Sequence, residues 1–190
     1  SVDDVPDETV PGLGDPRIDV ASYDVALQVD PARPDISGRV VLRLKPTTSN
    51  PLRSFTLDLR GPKVTAATVD GRRATTTATD TELTVRPTSP LRPGRTVEVV
   101  LRYAGRPAPE TTPVLGTIGW QRDDKGGWFT MSEPFGTSSW VPVSDHPSDK
   151  AVWSITVTAP AAWTVVANGR LTGPRTVGGD RRWRCAPPTR

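Results

Sequence analysis

Glu133 lies in the stretch TMSEPFGT, after the aromatic pair Trp128 and Phe129 and directly before Pro134. A carboxylate on a turn stiffened by proline, beside aromatic side chains, is suited to a primary ammonium group, because partial removal of water strengthens the ion pair. The residues alone leave a solvated surface acid as the other reading. Residues 126 to 160 also hold the chain's only Met, Met131, its only His, His146, and three of its six Trp. A stretch of that composition is either a buried structural crossover or one wall of a binding site.

Other combinations of reactive residues fall short. Zinc catalysis needs three or four ligands from His, Cys, Asp or Glu, two of them usually on one rigid segment. One His and one Cys, Cys185, do not meet that need, so no catalytic residue and no metal ligand is expected within this chain. His146 sits in SDHPSDKA, where Pro147 restricts its backbone and Asp145 and Asp149 can bond nearby amides in a compact turn, so it reads as structural. Ser144, Asp145 and His146 are consecutive, and neighbouring side chains do not converge across a pocket as a nucleophilic relay must. GLGDP and KGG lack the strand and helix of a phosphate cradle. The Trp residues could line a sugar-binding face, yet Trp153 alternates with Ile155 and Val157, the ordinary arrangement of a core strand. Trp120 and Trp128 flank a Gly-rich loop and are less firmly tied to a core.

The elements that position these residues are strands. YDVALQVD alternates Tyr23, Val25, Leu27 and Val29; RVVLRLK alternates Val40, Leu42 and Leu44; SFTLDLR alternates Phe55, Leu57 and Leu59. Asp70-Gly71 supplies the positive backbone angles of a tight hairpin turn. Further strands are predicted over TELTVRP, RTVEVVLRYAG, WFTM, AVWSITVTAP, WTVVANG and RRWRC, divided by TSPLRPG, GRPAPETTP and Asn168-Gly169. No segment keeps apolar residues at helical spacing for three turns, and 21 Pro with 16 Gly would interrupt most attempts. The fold class is therefore all-β, an antiparallel sandwich or curved sheet.

At 190 residues the chain is long enough for one real core. Its formal charge of +3 is small and scattered, which argues against a nucleic-acid partner. Twenty Arg against four Lys, with abundant Thr, Ala and Pro, fit a GC-rich genome better than a binding function. No apolar run approaches the length of a membrane span. A lone Cys185 can form no internal disulfide and leaves the redox compartment undecided. The acidic, aperiodic opening SVDDVPDETVPGLGDP reads as a flexible leader over residues 1–15, of the kind left on a mature exported protein, ahead of a β-sandwich domain over residues 16–190. Beginning at Ser1, the chain reads as processed or excised.

Taken in order, SYDVALQVDPARPDISGRVVLRL and FTMSEPFGTSSWVPVSDHPSDKAVWSITVTAPAAWTVVANGRL resemble the N-terminal domain of the aminopeptidase N family of zinc metallopeptidases, from about Asp15 onward. The resemblance implies a saddle-like antiparallel β-sandwich that closes one side of an active-site cleft. It implies that Glu133 binds the free α-amino group of a peptide substrate and that Met131 lines the pocket for the first side chain. WVPVSDHPSDKA is similar to the family's Pro-Cys-x-Asp-Glu-Pro segment with its following Lys-Ala. Val143 stands in place of the usual Cys, His146 in place of the usual Glu, and Met131 where many relatives carry a polar residue.

The family's His-Glu-x-x-His helix, its further Glu ligand and its Gly-x-Met-Glu-Asn strand do not occur in these 190 residues. The resemblance thus implies a non-catalytic domain of a secreted aminopeptidase, extracellular or at the cell surface. Its partners would be a peptide N-terminus and the catalytic domain of the parent protein, where the zinc would reside. A stand-alone β-sandwich module binding peptide or carbohydrate is the alternative, and a scaffold with a degenerate catalytic half is a third.

Overall fold

The computed structural model describes residues 12–187. The first half of the chain forms β1 (Ile18–Val29), β2 (Ile36–Pro46), β3 (Phe55–Asp58), β4 (Lys63–Val69), β5 (Arg72–Arg73), β6 (Thr75–Ala78) and β7 (Glu82–Arg86). It continues through β8 (Val97–Gly105), β9 (Glu110–Thr112), β10 (Gly116–Arg122) and β11 (Trp128–Met131). After a single 3₁₀ turn at Thr137–Ser139 come β12 (Val152–Pro160), β13 (Arg170–Val177) and β14 (Asp180–Ala186). The all-β expectation is met.

An eight-stranded sheet runs in the order β13-β14-β12-β1-β2-β8-β4-β5, and two three-stranded sheets run β3-β7-β6 and β11-β10-β9. The period of two in the sequence explains how they meet. Val25 and Leu27 of β1, Val40 and Leu42 of β2, and Val99 and Leu101 of β8 point to one side of the large sheet. Phe55, Leu57, Leu83 and Val85 of the β3-β7-β6 sheet join the same buried cluster, so two sheets share one core. The Asp70-Gly71 turn closes β4 onto β5 with φ of 48° and 74°, both positive, as a two-residue hairpin loop demands.

Among the described residues the ladders are antiparallel except one: β12 pairs with β1 in parallel, Tyr23 opposite Trp153 through Gln28 opposite Thr158. A parallel neighbour cannot be reached by a tight turn, and here the chain arrives through the crossover that follows the 3₁₀ turn.

Three local expectations are corrected. WTVVANG forms no strand: the Trp163 N–H turns back onto the Pro160 carbonyl at 3.0 Å, and Val166 is 86% exposed. The strand lies further on, at β13, hidden in the sequence by Gly173-Pro174. As the outermost strand, β13 tolerates a proline that cannot donate, and its register with β14 shifts between Thr172 and Arg175. GRPAPETTP, expected as a divider, contains the short β9. Asp15, at the end of the expected leader, is buried, while residues 1–11 of that leader lie outside the described residues.

Trp153, Ile155 and Val157 lie on the core side of β12 as expected but are only half-buried, since β12 stands near the margin of the shared core. The Trp153 ring stacks on Tyr23 with centroids 4.1 Å apart and planes within 15°. In equilibrium denaturant melts, Leu101→Ala should therefore cost about 3 kcal/mol and Trp153→Ala about 2 kcal/mol. The reverse order would move Trp153 into the deep core.

Candidate functional site

The loop bearing Glu133 grows out of the β10-β11 hairpin. Gly119 stands opposite Met131 and Gln121 opposite Phe129, while Trp120 faces Thr130 and Arg122 faces Trp128. Strand alternation therefore puts Phe129 and Met131 on one face, where they are 46% and 42% exposed. The opposite face is structural. Trp120 and Trp140 are buried with ring centroids 6.0 Å apart, and Trp128 lies 6.2 Å from Trp120. Trp128 donates its indole N–H to the Pro31 carbonyl at 3.3 Å and carries the Arg122 guanidinium 5.6 Å over its ring. These three rings make no open sugar-binding platform.

Gly119 has a left-handed φ of 92°, and a Cβ there would collide with the Ser139 hydroxyl. That hydroxyl accepts the Trp120 N–H at 2.9 Å and donates to the Gly136 carbonyl at 2.7 Å. The hairpin is thus pressed against the 3₁₀ turn, and only glycine lets the backbones approach so closely.

Glu133 is exposed, and its bond to Pro134 is cis. What holds its loop is a carboxylate behind it. Asp145 Oδ2 accepts the N–H groups of Gly136 and Ser138, each at 3.0 Å. The Asp145 N–H in turn donates to Asp58 Oδ2 at 2.9 Å, as does the Gly14 N–H at 2.9 Å. Asp58, at the end of β3, also exchanges backbone bonds of 2.7 and 3.1 Å with Val143. The phenol of Tyr23 accepts the Ser144 N–H at 3.0 Å. Three backbone N–H groups of the buried crossover, and that of Gly14 ahead of β1, are satisfied by two aspartates.

Burial pushes the Asp58 carboxyl above its ordinary 3.8, outweighing the Asp145 and Gly14 N–H bonds that favour the anion. Burial also raises Asp149, whose other oxygen accepts the Val20 N–H at 3.4 Å. Asp15 goes the other way: burial opposes its charge, but bonds from Arg17 and Thr56 prevail and lower it. Burial drives the Tyr23 phenol well up, so it stays neutral.

The remaining candidates fall into place. His146 Nδ1 lies 2.7 Å from the Ser148 hydroxyl, in a turn closed by the Asp149 N–H to the His146 carbonyl at 3.0 Å. Asp145 is spent on backbone N–H groups, so Ser144, Asp145 and His146 build no relay. Among the described residues no group of three or more His, Cys, Asp and Glu could hold a metal ion. Cys185 is buried on β14. A cleft lined by Asp58, Arg60, Glu82 and Ser138 includes neither Glu133 nor Met131.

Sequence reasoning missed Asp58. Its signal was an acid at the end of β3 set between Leu57 and Leu59, both buried.

An all-β chain with this crossover belongs to a recognisable class: residues 20–182 match the Peptidase M1 N-terminal domain. The chain belongs to that family. It is similar to solved structures of the M1 zinc metallopeptidase of Deinococcus radiodurans, at 36% identity, over 93% of this chain and 40% of theirs. The TM-score is 0.86 for a variant bound to a Tyr-Ser-Ala substrate and 0.85 for the protein without that substitution. A two-domain M1 zinc metallopeptidase variant bound to L-arginine matches with the same identity and coverage and a TM-score of 0.86. This chain thus spans less than half the length of those proteins. No curated protein matches it.

Two outcomes follow from the carboxylate pair. Asp145→Ala leaves two buried N–H groups without an acceptor and should cost about 3 kcal/mol in a denaturant melt, whereas Asp145→Asn, which keeps an oxygen, should cost about 1 kcal/mol. Folded Asp58 and Asp149 hold their protons longer than the unfolded chain does. Their contribution is therefore greatest below 3.8 and is lost as pH rises from there through their raised folded values. Asp58→Asn should flatten that decline in melts recorded across the range.

Proposed function

We propose that this chain is the N-terminal, non-catalytic domain of a zinc aminopeptidase that removes N-terminal residues from peptides outside the cell or at its surface. In this reading it caps the active-site cleft. Glu133 takes the substrate's α-ammonium group, and Met131 lines the space for the first side chain.

The observation that carries the reading is the way the Glu133 loop is built. Its charge is exposed, the backbone three and five residues further on is pinned by Asp145, and it follows the strand that exposes Met131. An acid held on a fixed backbone with its carboxylate unspent is suited to a cation that arrives from outside. Membership of the M1 family supports reading that cation as a peptide's free N-terminus. No cluster among the described residues could hold a metal ion, and in this reading the zinc and the bond-breaking step lie in the catalytic domain with which this domain would pack. Among the described residues no helix is long and apolar enough to cross a membrane.

The test is made in the parent protein. Glu133→Gln keeps the shape of the loop and removes its charge, so kcat/KM toward peptides should fall on the order of 10²-fold. The same substitution in this chain alone should shift its stability by no more than about 0.5 kcal/mol, as an exposed residue would. Full activity of the variant parent enzyme would remove Glu133 from the site. A large stability loss in the isolated chain would make it a structural acid.

A further inference from the structure

The outward face of the eight-stranded sheet carries cations in an arrangement that folding does not explain. Arg39 on β2 stands directly opposite Arg102 on β8, and Arg175 on β13 stands directly opposite Arg182 on β14. All four side chains lie on the side away from the core, because Val40, Leu101 and Trp183 beside them in sequence are buried. Like charges placed directly across a ladder repel. Three other cations of the same face have acids, Arg43 with Glu98 at 4.0 Å, Lys45 with Asp19 at 2.9 Å and Arg184 with Asp24 at 3.4 Å, whereas Lys63, Arg73 and Arg170 stand singly along it. Among the described residues no acid pairs with Arg39, Arg102, Arg175 or Arg182; the last bonds only the Thr158 hydroxyl, at 3.3 Å.

The register joins the two pairs into one band. Arg182 is opposite Thr158, Thr158 opposite Gln28, and Gln28 opposite Ser37, while Thr156 is opposite Ala26 and Ala26 opposite Arg39. Three strand spacings and a two-residue offset along the strands separate Arg182 from Arg39, about 16 Å. Between the two cationic ends the floor is made of short hydroxyl, amide and methyl side chains.

We propose that this face binds an extended acidic polysaccharide, its carboxylates or sulfates on the two arginine pairs and its hydroxyls on the Thr158, Gln28 and Ser37 floor. Guanidinium groups grip such anions through paired N–H bonds, and the unneutralised charge supplies the complementarity. No aromatic ring stands in the band, so it offers no stacking surface for the bases of a single-stranded nucleic acid. The proposal is independent of Glu133 and of any catalytic domain.

Calorimetric titration of this chain with a heparin octasaccharide tests it, at about 50 mM and about 150 mM salt. Binding should weaken with salt. Arg39→Ser with Arg102→Ser, and separately Arg175→Ser with Arg182→Ser, should each weaken it on the order of ten-fold, with a shallower salt slope. Arg43→Ser and Lys45→Ser, which disrupt acid-paired cations, should leave it within about two-fold. Melting temperatures should not fall in the double variants, since each removes an opposed like charge, and Gln versions give a second charge-free set. Absence of binding, or equal losses in the acid-paired controls, would overturn the proposal. So would tighter binding of duplex DNA or of anionic phospholipid vesicles at the same salt.

Discussion

Two aspartates behind the crossover are the constraint on which the rest of the site depends. Asp58 belongs to the β3 strand and is held there by its ladder and by backbone bonds to Val143. Asp145 hangs from Asp58 by its N–H, and the Gly136 and Ser138 N–H groups hang from Asp145. Position therefore passes from a core sheet to the loop of Glu133 in two hydrogen-bonded steps. Water would satisfy these N–H groups in an exposed loop; in a buried one the carboxylates must. The raised pKa of Asp58 is the electrostatic consequence of using a buried charge in this way.

β1 links this arrangement to the whole sheet. Its Tyr23 meets the crossover twice, once through the phenol oxygen that accepts the Ser144 N–H, and once through the ring stacked on Trp153 where β12 begins. The crossover is thus tied where it passes Ser144 and again where it ends, and the parallel pairing of β12 with β1 follows from that docking. Hydrophobic alternation alone gives β12 a buried side. The choice of neighbour and direction comes from contacts more than a hundred residues apart in sequence.

That difference in range explains what could be read from the sequence. The alternating strands β1, β2, β3 and β8 and the Asp70-Gly71 turn depend on period two and on local backbone angles, both written in consecutive residues. The apolar run WTVVANG carried the same pattern without a strand to pair with, while β13 was masked by a Gly-Pro step that only an edge position permits. At the site, Glu133 stood out by residue type beside Pro134 and Met131 entered through the family resemblance; both side chains are exposed. Asp145 was legible as an acceptor of amide N–H groups but not which ones it accepts, and Asp58 not at all. Its partners at Gly14 and Asp145 lie 44 and 87 residues away.

The division between buried and exposed acids separates shape from charge. Asp58 and Asp145 carry their negative charges toward backbone N–H groups inside the protein, so their removal changes the loop's conformation. Glu133 carries its charge outward on the backbone those two define, so its removal changes what the loop can attract while leaving the same conformation accessible. In the proposed role such a loop would need no rearrangement to meet a cation, because the ordering entropy of its backbone is already offset when the crossover folds. The exposed side chains of Phe129 and Met131 are fixed by the same logic: their strand is paired to β10, and β10 is pressed through Gly119 onto the turn that Asp145 holds. Two linked buried carboxylates thereby help set the relative positions of one charge and two apolar surfaces.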